Sequence, residues 1–213
     1  MHKELIANWL AKQGQSLSQS QYSQLASYQE MVLTAPMNLT AITDSEDFAI
    51  KHFIDSLTIL PWIDKPGQVT SFIDIGTGAG FPGIPIKIAR PGLHITLLDS
   101  LLKRILFLRR AVEELGLQDV ECIHARAEDL AKKKSYDLAV ARAVARLDKL
   151  AGYALPLVKP GGVFLAMKGP DVTVEIENAK PVLHKLGGVV ESVKKMEIAR
   201  EMGRSIIVIR KHG

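Results

Sequence analysis

Hydrophobic residues in the N-terminal part of the chain recur every three or four positions, which is the spacing of one face of a helix. Ser18 and Gln21 have the spacing of a capping box and predict a helix that runs to about Leu33. Thr43 and Glu46 repeat this spacing and predict a second capped helix that runs to about Leu60. The first 62 residues are therefore predicted to form helices and no strands, with a break at Pro36 and a turn over residues 37–40.

From residue 72 onward, short apolar runs alternate with helical patterns. Predicted strands cover residues 72–75, 94–99, 120–124, 137–141, 163–167, 188–193 and 205–210. Predicted helices lie between them at residues 83–89, 101–115, 127–132, 147–158 and 172–186. Strands separated by helices are typical of a parallel, doubly wound α/β sheet. The segment between the last two strands is too short for a crossover helix, so these strands are predicted to pair antiparallel.

Length and composition agree with a globular fold. The chain has 213 residues, with 47% hydrophobic and 23% charged side chains. We expect a helical cap over residues 1–66 and an α/β domain over residues 67–213. The single cysteine, Cys122, excludes an intrachain disulfide, and six scattered histidines argue against a metal site. Without a signal sequence or an apolar run long enough to cross a membrane, the chain is predicted to be a cytoplasmic monomer.

The charge is distributed unevenly along the chain. The net charge is +4, but residues 141–213 alone carry 13 basic and 7 acidic side chains. A basic region of this kind favours a polyanionic partner such as a nucleic acid, although a solvated surface gives the same composition.

A glycine-rich segment, residues 74–83, follows the first predicted strand and opens a predicted helix; we call it the glycine loop. Within it, residues 78–83 match the G-x-G-x-x-G pattern of dinucleotide sites. Asp99 ends the second strand, where a carboxylate binds a ribose diol in such folds. The spacing alone is compatible with a nicotinamide or flavin nucleotide and with S-adenosylmethionine.

Three features favour S-adenosylmethionine. Asp74 stands two residues before Gly76, where its carboxylate would repel a pyrophosphate but suits a ligand with an ammonium and a sulfonium. The glycine pattern also begins one step earlier than a dinucleotide motif, as Asp-x-Gly-x-Gly-x-Gly. The predicted antiparallel last pair of strands is foreign to an all-parallel dinucleotide sheet.

Several short segments together resemble the RsmG family, also called GidB, the bacterial methyltransferases that modify guanine N7 in 16S ribosomal RNA. The resemblance covers nearly the whole chain. It rests on residues 38–42, 52–56, 74–83, 99–104, 126–128, 141–144, 168–169 and 204–207. The resemblance implies a class I methyltransferase fold with an N-terminal helical cap. By analogy, the family's cofactor contacts fall on Gly76, Phe81, Ala127, Glu128 and Arg142.

The full set of predicted cofactor-binding residues combines the glycine loop with the ends of the strands that follow. It is Asp74, Gly76, Thr77, Gly78, Gly80, Phe81, Asp99, Ser100, Ala127, Glu128 and Arg142.

The expected reaction needs little acid–base chemistry, because guanine N7 already carries a free lone pair. We therefore predict no general base and expect Arg142 to contact the cofactor or to orient the guanine through O6. His52 and Asp55, one helical turn apart, form either a hydrogen-bonded pair that lines the pocket or a structural pair that holds the cap against the sheet. The candidate contacts to 16S ribosomal RNA or the small ribosomal subunit are His52, Asp55, Lys103, Arg104, Arg146, Lys168 and Arg204. A small-molecule methyltransferase and an NAD-binding protein are the alternatives.

Overall fold

A computed structural model of the chain describes residues 1–64, 69–142, 145–198 and 202–213. The predicted boundary between residues 66 and 67 and the motif residues 143–144 lie outside this part of the chain. The division into two domains therefore remains a prediction.

The described residues form a seven-stranded sheet in the order β3-β2-β1-β4-β5-β7-β6. The strands are β1 (Ser71–Ile75), β2 (His94–Asp99), β3 (Val120–His124), β4 (Tyr136–Arg142), β5 (Val158–Lys168), β6 (Gly188–Glu197) and β7 (Gly203–Lys211). Strands β1 to β5 are parallel, and β7 is antiparallel to both β5 and β6. The predicted antiparallel last pair is confirmed. The strand order reverses between β1 and β4, and ligands of open α/β sheets bind at such a switch point.

The helices differ from the predictions mainly in the cap. They are α1 (Lys3–Lys12), α2 (Gln19–Leu33), α3 (Ser45–Phe48), α4 (Asp55–Leu57), α5 (Leu60–Ile63), α6 (Gly83–Ala89), α7 (Leu102–Glu114), α8 (Ala127–Leu130), α9 (Leu147–Ala154) and α10 (Thr173–Lys185). A π-helix over Ala49–Ile54 joins α3 to α4, and a 3₁₀ helix covers Leu155–Leu157. The helix predicted to run to about Leu60 is helical over residues 45–57, but its middle part is a π-helix and not an α-helix.

One predicted cap is confirmed and one is wrong. Ser18 and Gln21 form the expected reciprocal capping box at the start of α2. At α3, however, the cap is Asp44 and not Thr43: its Oδ1 accepts hydrogen bonds from the amides of Glu46 and Asp47, at 3.0 and 2.9 Å. A carboxylate is favoured there because it also balances the positive end of the helix.

Alternate residues of the strands face two hydrophobic cores. On β7, Ile206 and Val208 lie on one side of the sheet, and Ile207 and Ile209 lie on the other. The first core also contains the buried apolar residues of the cap, so the cap and this face of the sheet pack as one unit. This packing holds the π-helix and α4 against the sheet.

Candidate functional site

The glycine loop turns sharply at the end of β1. Gly76 and Gly78 have φ of +67° and +60°, which favours glycine. The amides of Gly76 and Thr77 donate to the carbonyl of Leu98 on β2, at 2.8 and 3.0 Å. The loop is therefore tied to the neighbouring strand by its own backbone.

Asp74, on β1, forms side-chain hydrogen bonds to two positions of the glycine loop. It is 1% exposed, and its Oδ2 accepts hydrogen bonds from Thr77 Oγ1 at 2.6 Å and from the amide of Gly83 at 2.8 Å. Burial raises the pKa of Asp74 to about 6, although these two hydrogen bonds oppose the rise. Its Oδ1 is buried and has no partner among the described residues, so one carboxylate oxygen is uncommitted.

Asp99, at the end of β2, also forms a hydrogen bond to the glycine loop. Its Oδ2 accepts from the amide of Gly78 at 3.0 Å, and its Oδ1 accepts from the amide of Leu101 at 2.9 Å. Arg104 Nη1 donates to the same carboxylate at 3.2 Å. Asp99 is thus fixed at the end of β2, and Arg104 is its ion-pair partner.

A small pocket of about 150 Å³ lies beyond the ends of β1, β2 and β3. Its lining residues are Ile75, Gly76, Leu98, Asp99, Ser100, Ala125, Arg126, Ala127, Glu128 and Tyr153. The structure thus brings together five residues that the sequence predicts for cofactor binding: Gly76, Asp99, Ser100, Ala127 and Glu128. Tyr153 was not predicted, because it belongs to α9 and no local motif marks it.

A larger cleft of about 520 Å³ lies between the glycine loop and the cap. Its lining residues are Leu39, Ile42, Lys51, His52, Gly76, Thr77, Gly78, Ala79, Phe81, Arg104, Arg142, Met202 and Arg204. Gly76 lines both spaces, so the small pocket and the cleft lie next to each other at the glycine loop. Leu39 and Ile42 belong to a segment that carries the family resemblance, which was the one available signal for them.

Asp74 and Gly80 are absent from the linings of both spaces, although the sequence predicts both as cofactor contacts. Gly80 is instead surrounded by side chains of the protein interior. Its φ is +85°, and a Cβ there would come within 2.4 Å of Tyr28 Oη, 2.7 Å of Ile84 Cγ1 and 2.8 Å of Leu108 Cδ2. Glycine at this position therefore has a packing reason. The hydroxyl of Tyr28, on α2, donates to the carbonyl of Ala79 at this point.

Arg142, at the end of β4, connects the sheet to the cap. Its Nη1 donates to the carbonyl of Lys51 at 2.9 Å and to Asp55 Oδ2 at 3.0 Å. Its Nη2 lies 3.4 Å from His52 Nδ1, and its Cζ lies 5.4 Å from the ring centroid of Phe81. Arg142 therefore occupies the cleft wall, where the sequence places it.

His52 is held as a neutral ring in this network. Because a guanidinium only donates, Nδ1 of His52 must be the acceptor, and Nε2 carries the proton that it donates to Thr40 Oγ1 at 2.8 Å. Burial, together with the charges of Arg142 and Lys51, lowers the pKa of His52 to about 3. The ring also stacks on Phe81, with centroids 4.3 Å apart.

Asp55 is not an RNA contact, because its side chain is 0% exposed. It accepts hydrogen bonds from Arg204 Nε at 2.6 Å and Nη2 at 2.8 Å, in addition to the bond from Arg142. His52 and Asp55 do not form the predicted pair with each other; each binds Arg142. The fully buried carboxylate instead joins the cap to β4 and β7.

Lys168 is also wrong as an RNA contact. It is buried, its Nζ donates to the carbonyl of Ala145, and it lies 2.9 Å from a carboxylate oxygen of Glu175. Lys168 therefore has a structural role, because its Nζ is already bound by Ala145 and Glu175 of the same chain. The sequence pattern gave no sign of this burial, since Lys168 stands at the end of a strand.

The other RNA candidates are divided between the cleft and the open surface. Arg104 and Arg204 line the cleft, whereas Lys103 and Arg146 are exposed outside it. Arg146 is already paired with Asp148 at 3.3 Å. The structure therefore groups two of these cations at the candidate site and leaves the other two as possible surface contacts.

Comparisons with known proteins assign the chain to a family. The family model described as rRNA small subunit methyltransferase G matches residues 21–204. The chain belongs to this family. A relative from Clostridium kluyveri, named Ribosomal RNA small subunit methyltransferase G, is 45% identical over 204 residues, covering 93% of this chain and 85% of that protein.

Solved structures show the same fold at low sequence identity. TrmN from Thermus thermophilus superposes with a TM-score of 0.58 at 18% identity, over 73% of this chain and 48% of that one. Precorrin-6y C5,15-methyltransferase from Geobacter metallireducens superposes with a TM-score of 0.55 at 17% identity, over 84% of this chain and 94% of that one. The chain has the class I methyltransferase fold, as predicted. None of the described helices is long and apolar enough to cross a membrane.

Proposed function

We propose that the protein transfers a methyl group from S-adenosylmethionine to N7 of a guanine in 16S ribosomal RNA. The observation that carries this proposal is that Gly76 lines both spaces: a small pocket with residues suited to the cofactor lies next to a cleft walled by Arg142. Membership of the rRNA methyltransferase family supports the same substrate. Such a substrate implies a cytoplasmic enzyme.

The residues around the small pocket fit this cofactor. Asp99 would bind the ribose diol, and Glu128 and Ala127 would surround the adenine. Asp74 does not line the pocket, but it has a buried oxygen without a partner among the described residues and a pKa raised to about 6, so a cation in the glycine loop would favour its ionised form. A pyrophosphate would be repelled there, which counts against a dinucleotide. When bound, S-adenosylmethionine supplies a methyl group on a sulfonium, an electrophile that needs no further activation.

The larger cleft suits a guanine better than an adenine. In the described part of the chain, Arg142 keeps one N–H group on Nε and one on Nη2 that have no protein acceptor, and one of them can donate to guanine O6. Adenine presents a donor at the same place. N7 carries no proton, so the chain needs only to position the base and exclude water. The neutral state of His52 adds no charge next to a base that becomes cationic when methylated.

The test is a methylation assay with labelled S-adenosylmethionine and small subunits from cells that lack this protein. N7-specific strand cleavage would map the label, and a single labelled guanine is the expected result. If the protein binds the cofactor tightly but labels no RNA substrate, the result would favour a small-molecule methyltransferase. Binding of NAD in place of the cofactor would overturn the proposal.

Arg142 provides a sharper version of this test. We expect Arg142→Ala to lower methylation by about 100-fold while RNA affinity falls only a few-fold, because the side chain orients the base. Arg110→Ala is the matched control, since Arg110 is an exposed arginine outside the cleft that pairs with Glu114. Equal losses of methylation and RNA affinity in Arg142→Ala would show that Arg142 is only an anchor.

A further inference from the structure

Two arginines of the cleft share a single buried carboxylate. Asp55 is 0% exposed, whereas the side chains of Arg142 and Arg204 are 14% and 17% exposed and line the cleft. Arg204 binds Asp55 through a two-pronged contact at 2.6 and 2.8 Å, and Arg142 adds a third bond at 3.0 Å. These arginines are 149 and 87 residues away from Asp55 in the chain. The three side chains therefore form one unit assembled from the cap, β4 and β7.

The unit retains hydrogen-bond donors on both arginines. Arg204 uses its Nε and one N–H of Nη2 on Asp55, and one N–H of Nη1 on the carbonyl of Lys168 at 3.2 Å. Arg142 uses both N–H groups of Nη1 and one of Nη2. Since a guanidinium has five N–H groups, each arginine keeps two that have no acceptor among the described residues.

The unit also carries a net positive charge at the cleft. Two guanidinium cations face one carboxylate, and the neighbouring His52 is neutral. The two other cations of the cleft are already paired: Lys51 with Asp47 at 2.8 Å, and Arg104 with Asp99 at 3.2 Å. Among the described residues that line the cleft, this unit is therefore the one that offers an incoming anion an unbalanced positive charge and free hydrogen-bond donors.

We propose that Arg142 and Arg204 form an oxyanion-binding site in the cleft and that Asp55 is the positioning residue that sets both guanidiniums. This inference rests on the proposed function. The oxyanion is either a phosphodiester oxygen next to the target guanine or the carboxylate of the methionyl group of the cofactor; both offer charged oxygens that match a guanidinium. Asp55 touches neither ligand and acts through the arginines.

A purely structural role for Asp55 predicts different results from a positioning role. If Asp55 only ties the cap to the sheet, its loss lowers stability, cofactor affinity and RNA affinity together. If it positions the arginines, its neutral variant leaves two unbalanced cations in the cleft. RNA affinity is then kept or increased, whereas methyl transfer falls because the guanidiniums are misplaced.

Asp55→Asn therefore separates the two roles. We expect kcat for methylation of small subunits to fall by about 100-fold, with RNA affinity unchanged or a few-fold tighter. The matched control is Glu191→Gln, which removes the carboxylate from another two-pronged pair, formed between Glu191 on β6 and Arg210 on β7 at 2.6 and 3.1 Å. Loss of RNA affinity in proportion to kcat, or a kcat equal to that of the control, would overturn the positioning role.

A second variant keeps the test open if Asp55→Asn does not fold. Arg204→Lys retains a charge next to Asp55 but loses the two-pronged contact. We expect a fall of about tenfold in kcat with KM for RNA nearly unchanged. An unchanged kcat in a folded Arg204→Lys protein would overturn the inference.

Binding measurements identify the oxyanion without relying on activity. If it is a phosphodiester, Arg204→Gln should reduce the slope of log affinity against log salt by about one phosphate contact. If it is the cofactor carboxylate, Arg204→Gln should instead weaken cofactor binding by about tenfold. A change in neither quantity would overturn the site. Failure of wild-type protein to methylate any RNA would overturn the proposed function alone.

Discussion

The two walls of the cleft are built in different ways. The wall formed by the glycine loop uses residues close in sequence, and Asp74 and Asp99 fix it by accepting hydrogen bonds from loop amides. The opposite wall, formed by Arg142 and Arg204, uses side chains from distant elements that meet on Asp55. The first wall depends on backbone conformation and the second on charge pairing. Substitutions should therefore affect cofactor binding at one wall and positioning of the base at the other.

The largest expected effect tests the first wall. Asp99→Ala removes the proposed partner of the ribose diol and the acceptor for the amide of Gly78. We expect cofactor affinity to fall by about 4 kcal/mol, from two lost bonds to a charged acceptor, or roughly 1,000-fold. Isothermal titration calorimetry measures this directly. Glu121→Gln, at an exposed carboxylate paired with Lys134, is the control. Wild-type affinity in Asp99→Ala would refute the assignment to ribose.

The second effect separates packing from ligand binding within the same loop. Gly80→Ala would place a Cβ within 2.8 Å of three side chains at a φ of +85°, so we expect the free energy of unfolding to fall by about 3 kcal/mol. Gly78→Ala is the matched control: it also has a positive φ, but nothing lies within 4 Å of its Cβ. It should lose only about 1 kcal/mol of stability, from backbone strain. Urea unfolding compares the two variants, and equal losses would contradict the packing argument.

The third effect is a pH dependence of cofactor binding. Burial raises the pKa of Asp74 to about 6, with Asp99 adding to the rise and Arg142 opposing it. A cationic ligand binds the ionised form better, so affinity should rise with pH through about 6 and fall about tenfold between about pH 7 and pH 5. The stability of the free protein should depend on pH in the opposite direction. The pKa of Asp74 is higher in the folded than in the unfolded state, so the stability that this group contributes is lost as the pH rises through about 6.

Asp74→Asn is the variant that tests this assignment. Calorimetry in two buffers of different ionisation enthalpy should show proton release on binding by the wild-type protein near pH 6. The variant should release no proton on binding, and its affinity for the cofactor should not change with pH. His52 does not interfere, because its pKa of about 3 lies below this window. Proton release that persists in Asp74→Asn would assign the titration to another group.

The two walls also differ in how far sequence reasoning predicts them. The strands follow from apolar runs, and the glycine loop and Asp99 follow from a local spacing, so both could be predicted. The pairing of Asp55 with Arg142 and Arg204 could not, because separations of 87 and 149 residues leave no periodic signal. The burial of Lys168 was missed for the same reason, since its partners are set by the tertiary fold.

The smallest expected effect tests whether the cap supports the first wall as well as the second. The hydroxyl of Tyr28, on α2, donates to the carbonyl of Ala79, and burial keeps its pKa well above the usual value, so it remains a donor. Tyr28→Phe should lower the free energy of unfolding by about 1 kcal/mol, because it leaves a buried carbonyl unpaired. Tyr22→Phe, on the same helix, is the control, since its hydroxyl makes no hydrogen bond to the described residues.

Both tyrosine variants are compared by urea unfolding and cofactor titration. If the cap braces the glycine loop, Tyr28→Phe weakens cofactor binding a few-fold while kcat at saturating cofactor is kept, because the contacts of Arg142 are untouched. Equal behaviour of the two variants would mean that the hydroxyl adds nothing to the loop. A loss of kcat in Tyr28→Phe would instead show that the walls are coupled through Phe81, whose ring lies 5.5 Å from that of Tyr28 and faces Arg142.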